Sequence, residues 1–156
     1  MKNKKGFTLV ELLAVLVILG IVSFIAVPNV VSLINDNKKD TMLSDARKMI
    51  SQAKYNIATD MNARNSSSQT YKLSVLAAAA DLKSDPDGVP YDTNASYVKY
   101  TKASNGTVTY CVYLVNDTGS MIVGKTTTGN NSCTGTSGCT CVDENNLFDR
   151  KFVYAK

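Results

Sequence analysis

Lys2-Asn3-Lys4-Lys5-Gly6-Phe7-Thr8-Leu9-Val10-Glu11-Leu12-Leu13 leads into an apolar run that continues to Val27, and the reading of this stretch decides the fold. At about 1.5 Å per helical residue the run is long enough to cross a hydrocarbon core of roughly 30 Å. The three lysines before it stay cytoplasmic by the positive-inside rule. A cleaved secretory signal would have a shorter apolar region ending in a small-x-small site. Here the best such cut, after Ala26, has bulky Phe24 where a small residue is needed. An ordinary uncleaved anchor explains the length and the lysines but not Glu11, the only charged residue from Phe7 to Val27. A carboxylate inside a spanning segment costs at least about 2 kcal/mol unless it is paired or reaches water, which marks Glu11 as functional.

The basic leader, Gly6, and then Phe7-Thr8-Leu9-Val10-Glu11-Leu12-Leu13 resemble the processing motif of type IV prepilins and of the related secretion and competence pseudopilins. The resemblance is close over about the first thirty residues and covers only the general layout beyond. It implies that a membrane-embedded prepilin peptidase cuts between Gly6 and Phe7 and methylates the new amino terminus at Phe7. It makes Glu11 the acidic residue of the motif. It also implies an unwound region in filaments between Gly20 and Pro28, both of which lower helix stability.

Composition bounds the rest. A chain of 156 residues with 44% apolar content supports one modest core plus an anchor. Three of the 17 basic residues are in the leader, so 14 remain against 13 acidic residues after the cut. No basic block follows; Lys38-Lys39 is only a pair and reads as a solvated helix face, which leaves nucleic acid open as a partner. Histidine is absent, so Ser-His-Asp and Cys-His nucleophile systems are excluded. No set of convergent catalytic groups is visible, and no enzymatic activity and no cofactor are expected.

Beyond Val27, Pro28 interrupts the helical pattern and Asn29 to about Ala63 resumes it. Met42, Ala46, Met49, Ala53, Ile57 and Met61 recur every three or four residues and mark one apolar face. Asp36, Lys38, Lys39, Asp45, Lys48 and Asp60 fill much of the remaining surface. This predicts one helix from near Phe7 to near Asn62, kinked at Pro28, apolar all round in its first half and on one side in its second. Asn65 to Ser68 reads as a polar loop. Ser74 is positioned to cap a short helix reaching Leu82, before the turn Asp85-Pro86-Asp87-Gly88. From Ser96 the period becomes two, predicting strands over 96–103, 107–115 and about 120–125. A two-residue turn at Asn105-Gly106 would put Val98 and Tyr100 on one face with Cys111, Tyr113 and Val115, and Tyr110, Val112 and Leu114 on the other. One of these faces packs on the half-helix. Asp117-Thr118-Gly119 is a turn rather than half of a protease dyad. Phe148, Phe152, Val153 and Tyr154 supply a short fourth strand or an apolar tail.

The Thr/Gly/Asn/Ser-rich segment 126–140 cannot build a core, and cysteines must hold it. Cys139 and Cys141 are too near each other for an easy bond. Two pairings remain: Cys111–Cys139 with Cys133–Cys141, or Cys111–Cys141 with Cys133–Cys139. A four-thiolate metal site is disfavoured because Cys-x-Cys lacks the usual two-residue spacer. Asp143, Glu144, Asn145 and Asp149 match the place where secretion pseudopilins carry a calcium loop, although solvated loop carboxylates are the ordinary reading.

The expected architecture is α+β: a leader at 1–6, an apolar helix at 7–28 serving as membrane anchor and filament core, and a soluble head at 29–156. The head comprises the half-helix 29–63, a loop region 64–95, and an antiparallel sheet with its cysteine-tied end at 96–156. The resemblance implies a homo-oligomeric helical filament at the cell surface, served by the peptidase, an assembly platform and an ATPase, with the cytoplasmic membrane holding the subunit before assembly. The nearest rival is a pseudopilin of a type II secretion or competence system. Cleavage requires the backbone at Gly6 to enter the peptidase site, where a residue without Cβ allows close approach. Replacing Gly6 with a bulky residue should leave the intact precursor in the membrane; a mature chain starting at Phe7, found by mass spectrometry, would show the cut to be misplaced.

Overall fold

A computed structural model describes residues 7–126 and 139–155 and divides the chain into two compact units, Met1–Asn37 and Lys38–Lys156. Helix α1 (Leu9–Thr59) runs without a break through Gly20 and Pro28. Proline removes one backbone donor at that point. Beside the gap, the Asn29 side-chain amide donates to the Ile25 carbonyl at 3.2 Å, adding a bond within the same turn. In the first unit the large apolar side chains are open to the surroundings, with Leu9 81% and Phe24 84% exposed. No side chain of this segment is buried among the described residues.

In the second unit the helix has one covered face. Met42, Leu43, Ala46, Met49, Ile50, Ala53 and Ile57 are buried at spacings of three and four. The helix stops at Thr59, one turn before the expected end, because Asp60 takes an extended backbone and starts a new helix, α2 (Met61–Asn65). Its carboxylate accepts from the Asn62 and Ala63 amides at 2.8 and 3.4 Å, the bonds of an N-cap. Met61 therefore leaves the apolar face and is 75% exposed.

The segment read as a polar loop ends in a strand, β1 (Ser68–Lys72), whose side chains give no apolar alternation. It exists through main-chain pairing with β2 (Tyr97–Lys102). Helix α3 (Leu73–Ala80) follows at once and is not capped by Ser74. Its first donors go instead to the next loop, Leu73 N–H to the Ser96 carbonyl and Ser74 N–H to the Thr93 carbonyl. This satisfies helix-end amides without a side-chain cap.

β2 pairs with β3 (Val108–Val115), but one residue away from the expected register: Val98 faces Val112 and Tyr100 faces Tyr110. The turn spans Ala103 to Thr107, with Gly106 N–H bonded to the Ala103 carbonyl and Gly106 at φ 84°. The extra residue at a left-handed glycine, as in a bulged hairpin, replaces the two-residue turn and reverses which side chains share a face. Val98, Val112 and Leu114 consequently join the α1 residues in the main core. On the opposite face, Tyr113, Val115 and Ile122 form a second cluster with Tyr97, Cys139 and Cys141.

β4 (Met121–Val123) continues the sheet after the turn at Asn116–Gly119. A short pair, β5 (Lys125–Thr126) with β6 (Cys139–Thr140), stands apart. β7 (Val142–Asp143) lies beside β3, and β8 (Val153–Ala155) pairs with β4, giving the order β1-β2-β3-β4-β8. The architecture is thus the expected α+β: a long helix followed by an antiparallel sheet.

Two buried polar networks were not foreseen. Asp45, expected at the surface, is 6% exposed and accepts from the Tyr91 hydroxyl at 2.8 Å and from Lys48 at 2.8 Å. Burial, and then this bond, push the Tyr91 phenol well above its ordinary range. Asn116 is also buried and donates to Asp85 at 2.7 Å, tying the Asp85–Gly88 turn to the β3–β4 turn. Asp85 in turn accepts from the Asp87 and Val89 amides, so this aspartate pair serves as a turn.

The segment 144–150 is strapped to α1 by residues seven apart. Asp40 holds Arg150 through two bonds at 2.7 and 2.6 Å, Arg47 donates to the Leu147 carbonyl, and Lys54 pairs with Glu144. The Arg150 hydrogen bond holds the Asp40 carboxyl below its usual range. A disulfide, Cys111–Cys141, secures the strand that precedes the strap. With its ends 30 positions apart in sequence, it should be worth about 3 to 4 kcal/mol in the chain-entropy model. The double variant Cys111→Ser/Cys141→Ser should lose about that much in denaturant unfolding of the full chain; a loss below about 1 kcal/mol would show that the bond does not constrain the head.

Candidate functional site

The motif residues that the structure describes gather at the start of α1. Gly6 and the leader lie outside the described residues, and Phe7 is the first residue seen. Thr8 is the residue before the first helical turn, and its side chain was not singled out from the sequence. Its main-chain N–H and its hydroxyl each donate to Oε2 of Glu11 at 2.8 Å. In return the Glu11 N–H donates to the Thr8 hydroxyl oxygen at 3.3 Å. This is a reciprocal capping box, and the Thr-x-x-Glu spacing announces it in the sequence.

The box changes the account of Glu11. A carboxylate in this apolar run was expected to need a partner or a route to water. The helix's own first turn instead supplies two donors, and the positive end of the helix dipole also favours an anion there. Both donors fall on Oε2, which leaves Oε1 without a partner among the described residues. No lysine or arginine occurs from Phe7 to Asn37. No side-chain cation of this stretch can therefore meet Oε1.

Gly20 and Pro28 lie farther along the same helix. A Cβ at Gly20 would meet nothing within 4 Å, so this glycine is not required for packing within the chain. Its effect, like that of Pro28, is on helix stability.

Of the cysteines, Cys111 and Cys141 are bonded, which selects the second of the two pairings left open by the sequence. Cys133, the remaining partner for Cys139 in that pairing, lies outside the described residues. At the stretch compared with a calcium loop, Glu144 pairs with Lys54 and Asp149 with Lys151, and the Lys151 bonds hold the Asp149 carboxyl below its usual range. Among the described residues, no group of three or more histidine, cysteine or acidic side chains could hold a metal ion.

Residues 1–27 match the family model described as the prokaryotic N-terminal methylation motif. The match covers the motif and not the rest of the chain; it supports the class III signal of type IV pilin-like prepilins, without distinguishing pilin from pseudopilin. Neither a curated protein nor a solved structure matches the chain at significance. The leader, together with one described helix long and apolar enough to span a bilayer, fits a membrane-anchored precursor subject to prepilin peptidase.

If the capping box holds the first turn, Thr8→Val should raise hydrogen exchange of the Leu9 to Leu12 amides in micelles by about fivefold, the equivalent of about 1 kcal/mol, and Thr8→Ser should not. Equal exchange in wild type and Thr8→Val would remove Thr8 from the site.

Proposed function

We propose that this chain is the structural subunit of a type IV pilus: processed at Gly6, methylated at Phe7, and drawn from the membrane into a helical homopolymer by an assembly platform and its ATPase. The observation that carries the reading is the pairing of a leader that matches the methylation motif with a helix exposed on every side from Leu9 to Ile34. Such a surface needs lipid before assembly and sister helices after it. Because apolar area is buried in both places, assembly gains little from the hydrophobic effect, and packing with specific polar pairing must fix the register.

Glu11 supplies that pairing. In the bilayer it lies about 6 Å beyond Phe7 along the helix and can reach towards water. In a filament that route closes. Oε2 stays with Thr8, and Oε1 takes the methylated amine of Phe7 from the neighbouring subunit. Unwinding between Gly20 and Pro28 would let the helices adjust their length as they bundle. The head has no chemistry of its own in this reading, and its targets, nucleic acid among them, remain open.

A pseudopilin of a secretion or competence system shares the motif and the anchor. The disulfide-tied, Thr/Gly-rich end favours a filament exposed outside the cell, where such a bond persists. Imaging of intact cells with an antibody to residues 29–156 separates the two: long surface filaments support the pilus, and their absence in cells that express the mature chain supports the pseudopilin.

Glu11→Ala should be processed normally, accumulate in the membrane and give at least tenfold fewer filaments, because an amine buried without its carboxylate costs about 3 to 5 kcal/mol. Wild-type filament numbers in a strain carrying only this variant would refute the pairing.

A further inference from the structure

Phe148 is 79% exposed, although it sits in the strap between two groups tied to α1. One face of its ring is covered by the Arg47 guanidinium, 4.6 Å from the ring centre. The opposite face is open. Around it is a shallow concavity of about 700 Å³, lined by Asp40, Asn145, Asn146, Phe148, Asp149 and Arg150.

The chemistry of this lining is specific. The ring is the one apolar contributor, and every other lining side chain is an amide, a carboxylate or a guanidinium. The Asn145 and Asn146 side chains make no hydrogen bond to the described residues, so two donor-acceptor amides stand beside the ring. Asp40 and Arg150 are fixed by their bidentate pair, which holds both in one geometry. The negative face of an aromatic ring attracts the weakly positive C–H groups of a ligand, and Arg47 occupies the other face.

We infer that this concavity is a carbohydrate subsite, taking one pyranose ring with its C–H face on Phe148 and its hydroxyls on the Asn145 and Asn146 amides and the Asp40–Arg150 pair. A peptide or a second copy of the chain would be expected to bring apolar side chains, yet beyond one ring the concavity offers them no apolar wall. A polyol satisfies the amides and the ring together. One ring in an open site binds weakly, with a dissociation constant on the order of millimolar. Repetition of the site along a polymer would raise the effective strength by avidity. The site itself does not depend on the filament reading, because it is complete within one head.

The test uses the full chain in dodecylphosphocholine micelles, a detergent without sugar, and the methyl glycosides of glucose, galactose, mannose and N-acetylglucosamine. Saturation-transfer NMR should show transfer to the ring C–H protons of at least one glycoside. Phe148→Ala should weaken that binding about tenfold and Phe148→Trp should restore it, with the amide spectrum of the head unchanged in both. No transfer to any of the four, or equal transfer with Phe148→Ala, overturns the inference. So does a Phe148→Ala chain that loses subunit cross-linking in membranes while the wild type binds none of the glycosides, since the ring then serves a second copy.

Discussion

The head depends on one contact: the buried stripe of α1 lying on the Val98, Val112 and Leu114 face of the sheet. Ala46 and Ala53 keep the helix close at two levels, and Met42 and Met49 fill the spaces between, a use suited to their flexible side chains. The other elements are placed around this contact. α3 covers one side with Leu73 and Leu76, Tyr91 reaches in to satisfy Asp45, and the strap covers another side with Leu147. A carboxylate turned inward would be costly alone, but Tyr91 and Lys48 each give it a hydrogen bond.

The same helix has no such cover over its first unit, and the difference follows from sequence alone. Residues 42 to 57 are apolar on one side, whereas residues 9 to 34 are apolar all round. A one-sided helix can find its cover within its own chain, while an all-round one is a surface for cover from outside the chain. Glu11 is its single charged residue, and Thr8 gives the carboxylate two hydrogen bonds within the first turn.

Much of this was legible because period and spacing carry it. The 3.6-residue stripe located the core face of α1, and the two-residue period located β2 and β3 nearly to their ends. The register was lost at a single residue, since Asn105-Gly106 suits both a two-residue turn and a bulged one, and only the twist and packing of the finished sheet choose between them. β1 was missed because Ser68-Gln69-Thr70-Tyr71-Lys72 is an edge strand held by its backbone, and side-chain pattern says little about such strands. Asp45 and Asn116 were missed for another reason: nothing local marks a polar side chain for burial when its partners are 46 and 31 residues away. At the site, Glu11 stood out by its charge. Thr8 was equally readable from its spacing to Glu11, and it was passed over because the motif directs attention to the carboxylate.

The strap has a consequence for the order in which the head is made. Asp40 and Arg150 are 110 residues apart, Lys54 and Glu144 are 90 apart, and β8 supplies the outer partner of β4. Until residues 139–155 have emerged and docked, β4 lacks its outer partner and the core lacks Val142, Leu147 and Val153. Contacts this distant in sequence form slowly, and apolar surface stays uncovered while they do. Before that docking, the faces of β4 and of the α1 stripe that these residues cover stand open, so the last part of the chain to be made is also the part that closes the core.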